Sequence, residues 1–324
     1  MLPEFGLRAA LTQWQAAPVV TALALVAAGL YLWGVVRVAR RHPARPWRAW
    51  RTGMFLAGLA VVVVALQSGI GSYDDVLFWD HMVQHLMLVM VAPPLLILGQ
   101  PVTLLLHASR NPLHTWVKRF VRSRLVRLVT WPVFGFAGYA VAIVVAHLTA
   151  LANLTARNAF AHQAEHVGFL LVGYLFFLPI LGSEPIRWRM SYPARLLLLF
   201  LVMPVDTFTG LLLGYGNRGT PGLPPGPRPA WAGTAVQDLH AGGAVMWVAG
   251  DAIMFALMMV VFLMWSTDTR TASHSHGWLE AARRATVTPD LQAAGTDIDN
   301  DDAQLAAYNA YLNRLNDVQP GRQG

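Results

Sequence analysis

Seven separate stretches of about twenty mostly apolar residues restrict what this chain can fold into more than any other feature. They are Pro18–Val36, Thr52–Ile70, His81–Leu98, Val133–Ala150, His162–Leu181, Arg195–Leu213 and Gln237–Trp265. Each is long enough to cross a hydrocarbon core as a helix, and a helix satisfies its own backbone N–H and C=O groups where no water is present. The composition agrees, since 55% of the 324 residues are hydrophobic and 13% are charged, too apolar for a water-facing globule of this size. The expectation is an all-α integral membrane protein, a seven-transmembrane-helix bundle over residues 1–265 followed by a polar cytoplasmic tail over 266–324. In that tail Asp301-Asp302 precedes Leu305, Tyr308, Leu312 and Leu315, a spacing that predicts a short amphipathic helix.

The loops set an orientation. The first connection carries Arg37, Arg40, Arg41, Arg45, Arg48 and Arg51, and the third carries Arg110, Lys118, Arg119, Arg122, Arg124 and Arg127. The fifth adds Arg187 and Arg189, whereas the second has Asp74, Asp75 and Asp80 with no Lys or Arg. Basic connections stay on the cytoplasmic side, so the N-terminus is expected outside and the C-terminus inside. The net charge of +7 is thereby explained by topology, and nucleic acid is not expected as a partner. Met1 to Gln15 has no basic cluster, and no small-residue cleavage site follows the first apolar run, which predicts a retained span.

That orientation used no histidine, yet it sorts them. His81 and His85 open the third span, His147 closes the fourth, His162 and His166 open the fifth, and His240 opens the seventh, all at the outer surface. His42, His107, His114, His274 and His276 fall in basic loops or the tail. Two of the outer sets are i,i+4 pairs, which place two imidazoles on one helix face about a turn apart, close enough to share one metal ion. A single interfacial histidine is ordinarily a polar anchor or a pH-sensitive group; six on one face point to metal.

The chain has no Cys, so a thiolate site, a disulfide framework and a CxxCH haem attachment are excluded. Imidazole suits zinc, copper, iron and nickel alike. Neither pair carries the HExxH pattern of zinc proteases: the intervening residues are Met82-Val83-Gln84 and Gln163-Ala164-Glu165, and helical geometry turns Glu165 away from the His162/His166 stripe. Met82, Met87, Met90 and Met246 suit Cu(I), although methionine in an apolar chain also serves as packing. Asp80 and Asp238 lie beside the ligand candidates, either orienting imidazoles or solvated at the interface. Asp206, after Met203-Pro204 in the outer half of the sixth span, and Asp251, in the inner half of the seventh, are intramembrane carboxylates of the kind that marks a polar pathway. Asp251 near the inner end also has the option of pairing with a loop Arg. The sixth connection, dense in Gly and Pro from Thr220 to Pro229, reads as an outer loop lying over the histidines.

The stretch Phe78-Trp-Asp-His-Met-Val-Gln-His-Leu-Met-Leu-Val-Met-Val-Ala-Pro-Pro-Leu-Leu-Ile-Leu-Gly-Gln-Pro101 resembles the signature segment of the CtaG-type cytochrome c oxidase assembly factors, the polytopic, cysteine-free kind. His162-Gln-Ala-Glu-His166 and the block from Asp238 to Asp251 resemble two further segments of that family. A different, single-span assembly factor with a cysteine copper site shares the name in some bacteria, and the absence of Cys excludes its mechanism. The resemblance implies a multi-pass protein of the bacterial inner (plasma) membrane that is not an enzyme. It would bind copper ion at the outer face and deliver it to the haem-copper oxidase subunit that carries the copper centre, with a soluble outer copper donor as a further partner. His81, His85, His162 and His166 would be core ligands, with His240 and His147 supporting them. Two rival readings stand beside it: a haem-binding membrane cytochrome with His pairs across helices, and a copper- or proton-coupled transporter using Asp206 and Asp251.

Overall fold

The computed structural model describes residues 3–43, 46–182, 184–188, 190–217, 219–221, 223 and 228–268. Met1–Phe262 forms one compact unit and Leu263–Gly324 a second. The described part of the second unit is the end of the last long helix and the residues to Asp268. The amphipathic helix expected around Leu305 lies outside the described residues, as do Arg45, Arg189 and half of the Gly/Pro stretch from Thr220 to Pro229.

Among the described residues the chain is helical, with no strand. We number the long apolar helices α1 (Pro18–Arg41), α2 (Ala49–Tyr73), α3 (Phe78–Ala108), α4 (Pro132–Leu148), α5 (Ala159–Leu181), α6 (Tyr192–Gly214) and α7 (Ala235–Ser266). Six of these, all but α4, are long and apolar enough to cross a membrane. α4 has 17 residues and reaches about 25 Å at a rise of about 1.5 Å per residue. It stops before the expected Ala150 because Thr149 turns extended and caps a new short helix, its hydroxyl accepting from the Leu151 N–H at 3.2 Å.

α3 runs through the middle of the compact unit, packing on α1, α2, α5 and α7. It is longer at both ends than the expected His81–Leu98 and is not uniform. Met87–Val91 forms a π turn immediately after His85, and Gln100 adopts a left-handed conformation with φ 53° before Pro101 restarts the helix. The π turn precedes Pro93-Pro94, which supply no N–H to the ladder. The Val89 carbonyl faces α5 so closely that a Cβ on Gly173 would collide with it. A second π turn, Val245–Ala249, lies in α7 where that helix crosses α6. There a Cβ on Gly210 would sit 2.7 Å from the Gly243 carbonyl oxygen, a small-residue crossing of the sort that lets membrane helices pack backbone to backbone.

The start of α3 at Phe78 and its restart at Pro101 both borrow their caps from elsewhere in the chain. Asp238, from the first turn of α7, accepts the Phe78 and Trp79 N–H groups at 2.8 and 3.0 Å. Glu184, from the connection after α5, accepts those of Val102 and Thr103 at 3.1 and 2.8 Å. Leu77 and Gln100, the local cap positions, offer no side-chain bond, so these carboxylates satisfy N–H groups that would otherwise be orphaned.

The main core joins α3 through α7 around Met82, Met90, Tyr139, Phe176, Phe177 and Leu199. A smaller one, with Tyr31 stacked on Phe55 and packed near Leu104, ties α1 and α2 to the far end of α3. Outward-facing side chains such as Leu23, Leu30, Val141, Leu171, Phe200 and Phe255 are apolar and exposed, as a lipid-facing surface requires. The third connection, expected as a basic loop, instead folds into the short helices Leu113–Val121 and Arg124–Val129 with no buried residues. Trp116, Phe120 and Leu125 are exposed there beside Lys118, Arg119 and Arg124, the pattern of helices that lie in a membrane interface.

Candidate metal centre

The first two turns of α3 and of α5 and the last turn of α4 bring five imidazoles together. His81 and His85 lie with ring centroids 3.9 Å apart, and His162 and His166 4.4 Å apart. His81 and His162 join the two pairs at 5.2 Å, and His85 and His166 face each other at 6.2 Å. His147 reaches in from α4, its Nε2 3.2 Å from His85 Nδ1 while its own Nδ1 donates to the Ile143 carbonyl at 2.8 Å. The i,i+4 spacing thus produces the paired faces expected of it, and helix packing sets one pair against the other.

Two carboxylates complete the cluster, and neither was anticipated. Glu165 does point away from the His162/His166 stripe, but in doing so it faces α3, with Oε2 3.8 Å from His85 Nε2. Asp74, just after α2, has Oδ2 3.8 Å from His162 Nε2, and the exposed Asp75 approaches His162 Nδ1 at 3.8 Å. Two three-residue groups result, His81 with His85 and Glu165, and Asp74 with His162 and His166; within each, one ligand atom per residue lies within 4.8 Å of the others. The signal for Glu165 lay in the sequence as the residue beside His166, but its direction depended on which neighbour α5 packs against.

The electrostatics suit a cation. His85 Nε2, His162 Nε2, both nitrogens of His166 and Glu165 Oε2 are buried with no hydrogen-bond partner. Such atoms carry a desolvation cost that coordination would offset. Burial, with Asp75 adding repulsion, pushes the Asp74 carboxyl up to about 7, a shift that a bound cation would reverse. The donor set, imidazole and carboxylate without thiolate, matches a first-row divalent ion or copper. Asp74, Asp75, His81, Met82, His147 and His162 line a recess that Pro221 of the Gly/Pro loop also reaches.

The other sequence candidates lie elsewhere. His240 is exposed and bonded to the Gly216 carbonyl at 3.0 Å, because its position on α7 turns toward the end of α6. Asp238 orients no imidazole: it caps α3 and pairs with Arg228 at 2.7 Å. Asp80 is buried with both carboxylate oxygens unpartnered and makes no bond to a histidine. Met246 belongs to the core. Asp206 is fully buried and accepts from the Tyr139 hydroxyl at 3.2 Å. Asp251 accepts from Thr207 at 2.9 Å in place of a loop Arg, since α6 presents that hydroxyl directly opposite it.

Residues 29–268 match the family model described as cytochrome c oxidase caa3 assembly factor (Caa3_CtaG), an interval that holds every histidine and carboxylate of the cluster. The chain belongs to this family. Among curated proteins, it is 30% identical over 319 residues to an uncharacterized protein of Mycobacterium tuberculosis and to one of Mycobacterium bovis. It is also 30% identical over 312 residues to an uncharacterized protein of Mycobacterium leprae. In each case the alignment covers 94% of this chain and 45% of the relative, so the chain spans less than half the length of the curated relatives it matches. No solved structure matches.

Proposed function

We propose that this family member assists assembly of a haem-copper cytochrome c oxidase by holding copper as cargo at the outer end of its helix bundle in a bacterial inner membrane and passing it to the subunit that carries the copper centre. The observation that carries this reading is the convergence of His81, His85, His162, His166 and Glu165 with unpartnered buried donor atoms. Asp75, exposed beside His162, is the first contact for an arriving ion from a soluble outer donor. The group of Asp74, His162 and His166 takes it next, and His81, His85 and Glu165 form the inner set. Imidazoles and carboxylates exchange one at a time, so an ion moves between sets without being released fully solvated. Met82, lining the same recess, adds a thioether suited to the reduced ion.

In this reading α4 crosses the membrane with the other six helices, which puts the arginine-rich connections on the cytoplasmic side. The haem reading fits the geometry less well. Imidazole centroids 3.9 to 6.2 Å apart leave no slot between them for a flat macrocycle with a ligand on each side.

The test is copper content of purified protein after replacement of His81 and His85 together by alanine, beside replacement of His107 and His114. The first variant is expected to lose most bound copper and the second to keep it. Equal copper in both overturns the reading. In cells, a deletion strain is expected to assemble an oxidase with haem present and copper missing, and a fully metallated oxidase would refute delivery.

A further inference from the structure

At the end of the bundle far from the histidines, the last turns of α1 carry Arg37, Arg40 and Arg41 at i, i+3 and i+4, hence on one face. With Arg110, from the segment after α3, they line a pocket whose remaining walls are Trp33 and Val36. Four guanidinium groups therefore face one space. Among the described residues no ion pair joins any of these four arginines to a carboxylate.

Only part of this charge is used by the fold. Arg41 Nη1 donates to the Ala108 and Ser109 carbonyls at 2.8 and 3.3 Å, satisfying the C-terminal end of α3. Its Nη2 is buried without a partner, as is Arg37 Nε. The Arg37 guanidinium lies over the Trp33 ring at 4.8 Å, which fixes its plane and leaves its other edge to the pocket. Like charges held this close repel, and unpaired buried donors add a desolvation cost; an anion with several oxygens relieves both.

We infer that this pocket binds the phosphate headgroup of an anionic phospholipid. The lipid source is favoured over a free anion by the walls. Leu32, Trp33 and Val36 are exposed apolar side chains of a membrane-length helix, so a headgroup among the arginines places its acyl chains along them. Exposed Trp33 matches the aromatic residues that sit at headgroup level. The interfacial helix Leu113–Val121 begins three residues after Arg110, with exposed apolar and basic residues that hold this end against the same charged surface. The pocket is independent of the metal reading, which uses none of these residues.

The experiment uses the full chain purified in a neutral detergent. Thermal unfolding is followed on adding phosphatidylglycerol, phosphatidylcholine or inorganic phosphate, and phospholipid retained through purification is measured by native mass spectrometry. Phosphatidylglycerol is expected to raise the unfolding temperature while the other two do not. Replacing Arg37 and Arg40 together by glutamine is expected to weaken phosphatidylglycerol binding about thirtyfold. Arg41 is left intact because it holds the end of α3. Should the double variant fail to fold, Arg40→Gln alone, at an exposed position, is expected to weaken binding several-fold. An equal response of wild type and variant, or an equal response to phosphatidylcholine, overturns the proposal. A full response to inorganic phosphate overturns the lipid assignment.

Discussion

His147 fixes the tautomer of His85. The Ile143 carbonyl accepts a hydrogen bond from His147 Nδ1, so in the neutral ring Nε2 carries a lone pair. That lone pair faces His85 Nδ1 at 3.2 Å, which must then bear the proton. His85 is left with a bare Nε2 on its cluster-facing edge, beside Glu165. In the proposed copper site His147 would thus act behind the ligand set, orienting His85 through this hydrogen bond.

His147→Ala is accordingly expected to weaken copper binding by about 10- to 100-fold while leaving the protein folded, measured by competition titration against a chromophoric chelator. His240→Ala is expected to leave affinity unchanged. Unaltered affinity in His147→Ala would refute the orienting role.

Tyr139→Phe removes the hydroxyl that donates to the fully buried Asp206. The carboxyl then lacks that partner, and a loss of about 1–3 kcal/mol is expected, read as a lowered thermal midpoint in detergent. Adding Asp206→Asn is expected to restore part of the loss, because the amide can donate as well as accept and so does not depend on the tyrosine hydroxyl. Additive losses in the double variant would show that the two groups act separately.

Glu184 gives a pH signature. Burial raises its carboxyl above the ordinary range, opposed by the Thr103 hydroxyl and by backbone N–H groups of Thr103 and Val102. A raised folded-state value means that its contribution is complete below the unfolded value of about 4.3 and declines as pH rises through the folded value. Glu184→Gln is expected to unfold with a flatter dependence over that window. It is also expected to lie lower at every pH by about 0.5–2 kcal/mol, the scale of a lost helix cap. A parallel, undiminished slope in the variant would assign the dependence to another group.

Topology is open to direct labelling because the chain has no Cys. Cysteines placed at the exposed positions Asp75 and Arg122 are expected to differ, with an impermeant maleimide applied outside reaching the first alone. Labelling at position 122 from outside would invert the orientation and put the histidine cluster on the cytoplasmic side.

Much of this architecture was legible in the chain, because length and hydropathy identify membrane helices without knowledge of neighbours. The pairs His81/His85 and His162/His166 were legible for the same reason, their spacing being a property of one helix. What escaped depended on contacts between helices. Glu165 was turned from its own histidines by a periodicity that says nothing of α3 on the other side. Asp238 reads as a residue beside a ligand, yet its carboxylate is spent on backbone N–H groups 160 and 159 positions away in sequence. The π turn after His85 has a local cause in Pro93-Pro94, but its accommodation needs Gly173 on α5.

The contact between Asp238 and the start of α3 also bears on the order in which the protein is made. Membrane helices enter the bilayer as they leave the ribosome, and α3 enters long before α7. Until α7 arrives, the Phe78 and Trp79 N–H groups lack the cap that defines the turn leading into His81. A chain interrupted after α6 would contain all five clustered histidines and still hold the first pair on a frayed end. If the cluster holds copper as proposed, its capture would in this way be tied to completion of the last span, and an unfinished chain would not sequester the ion.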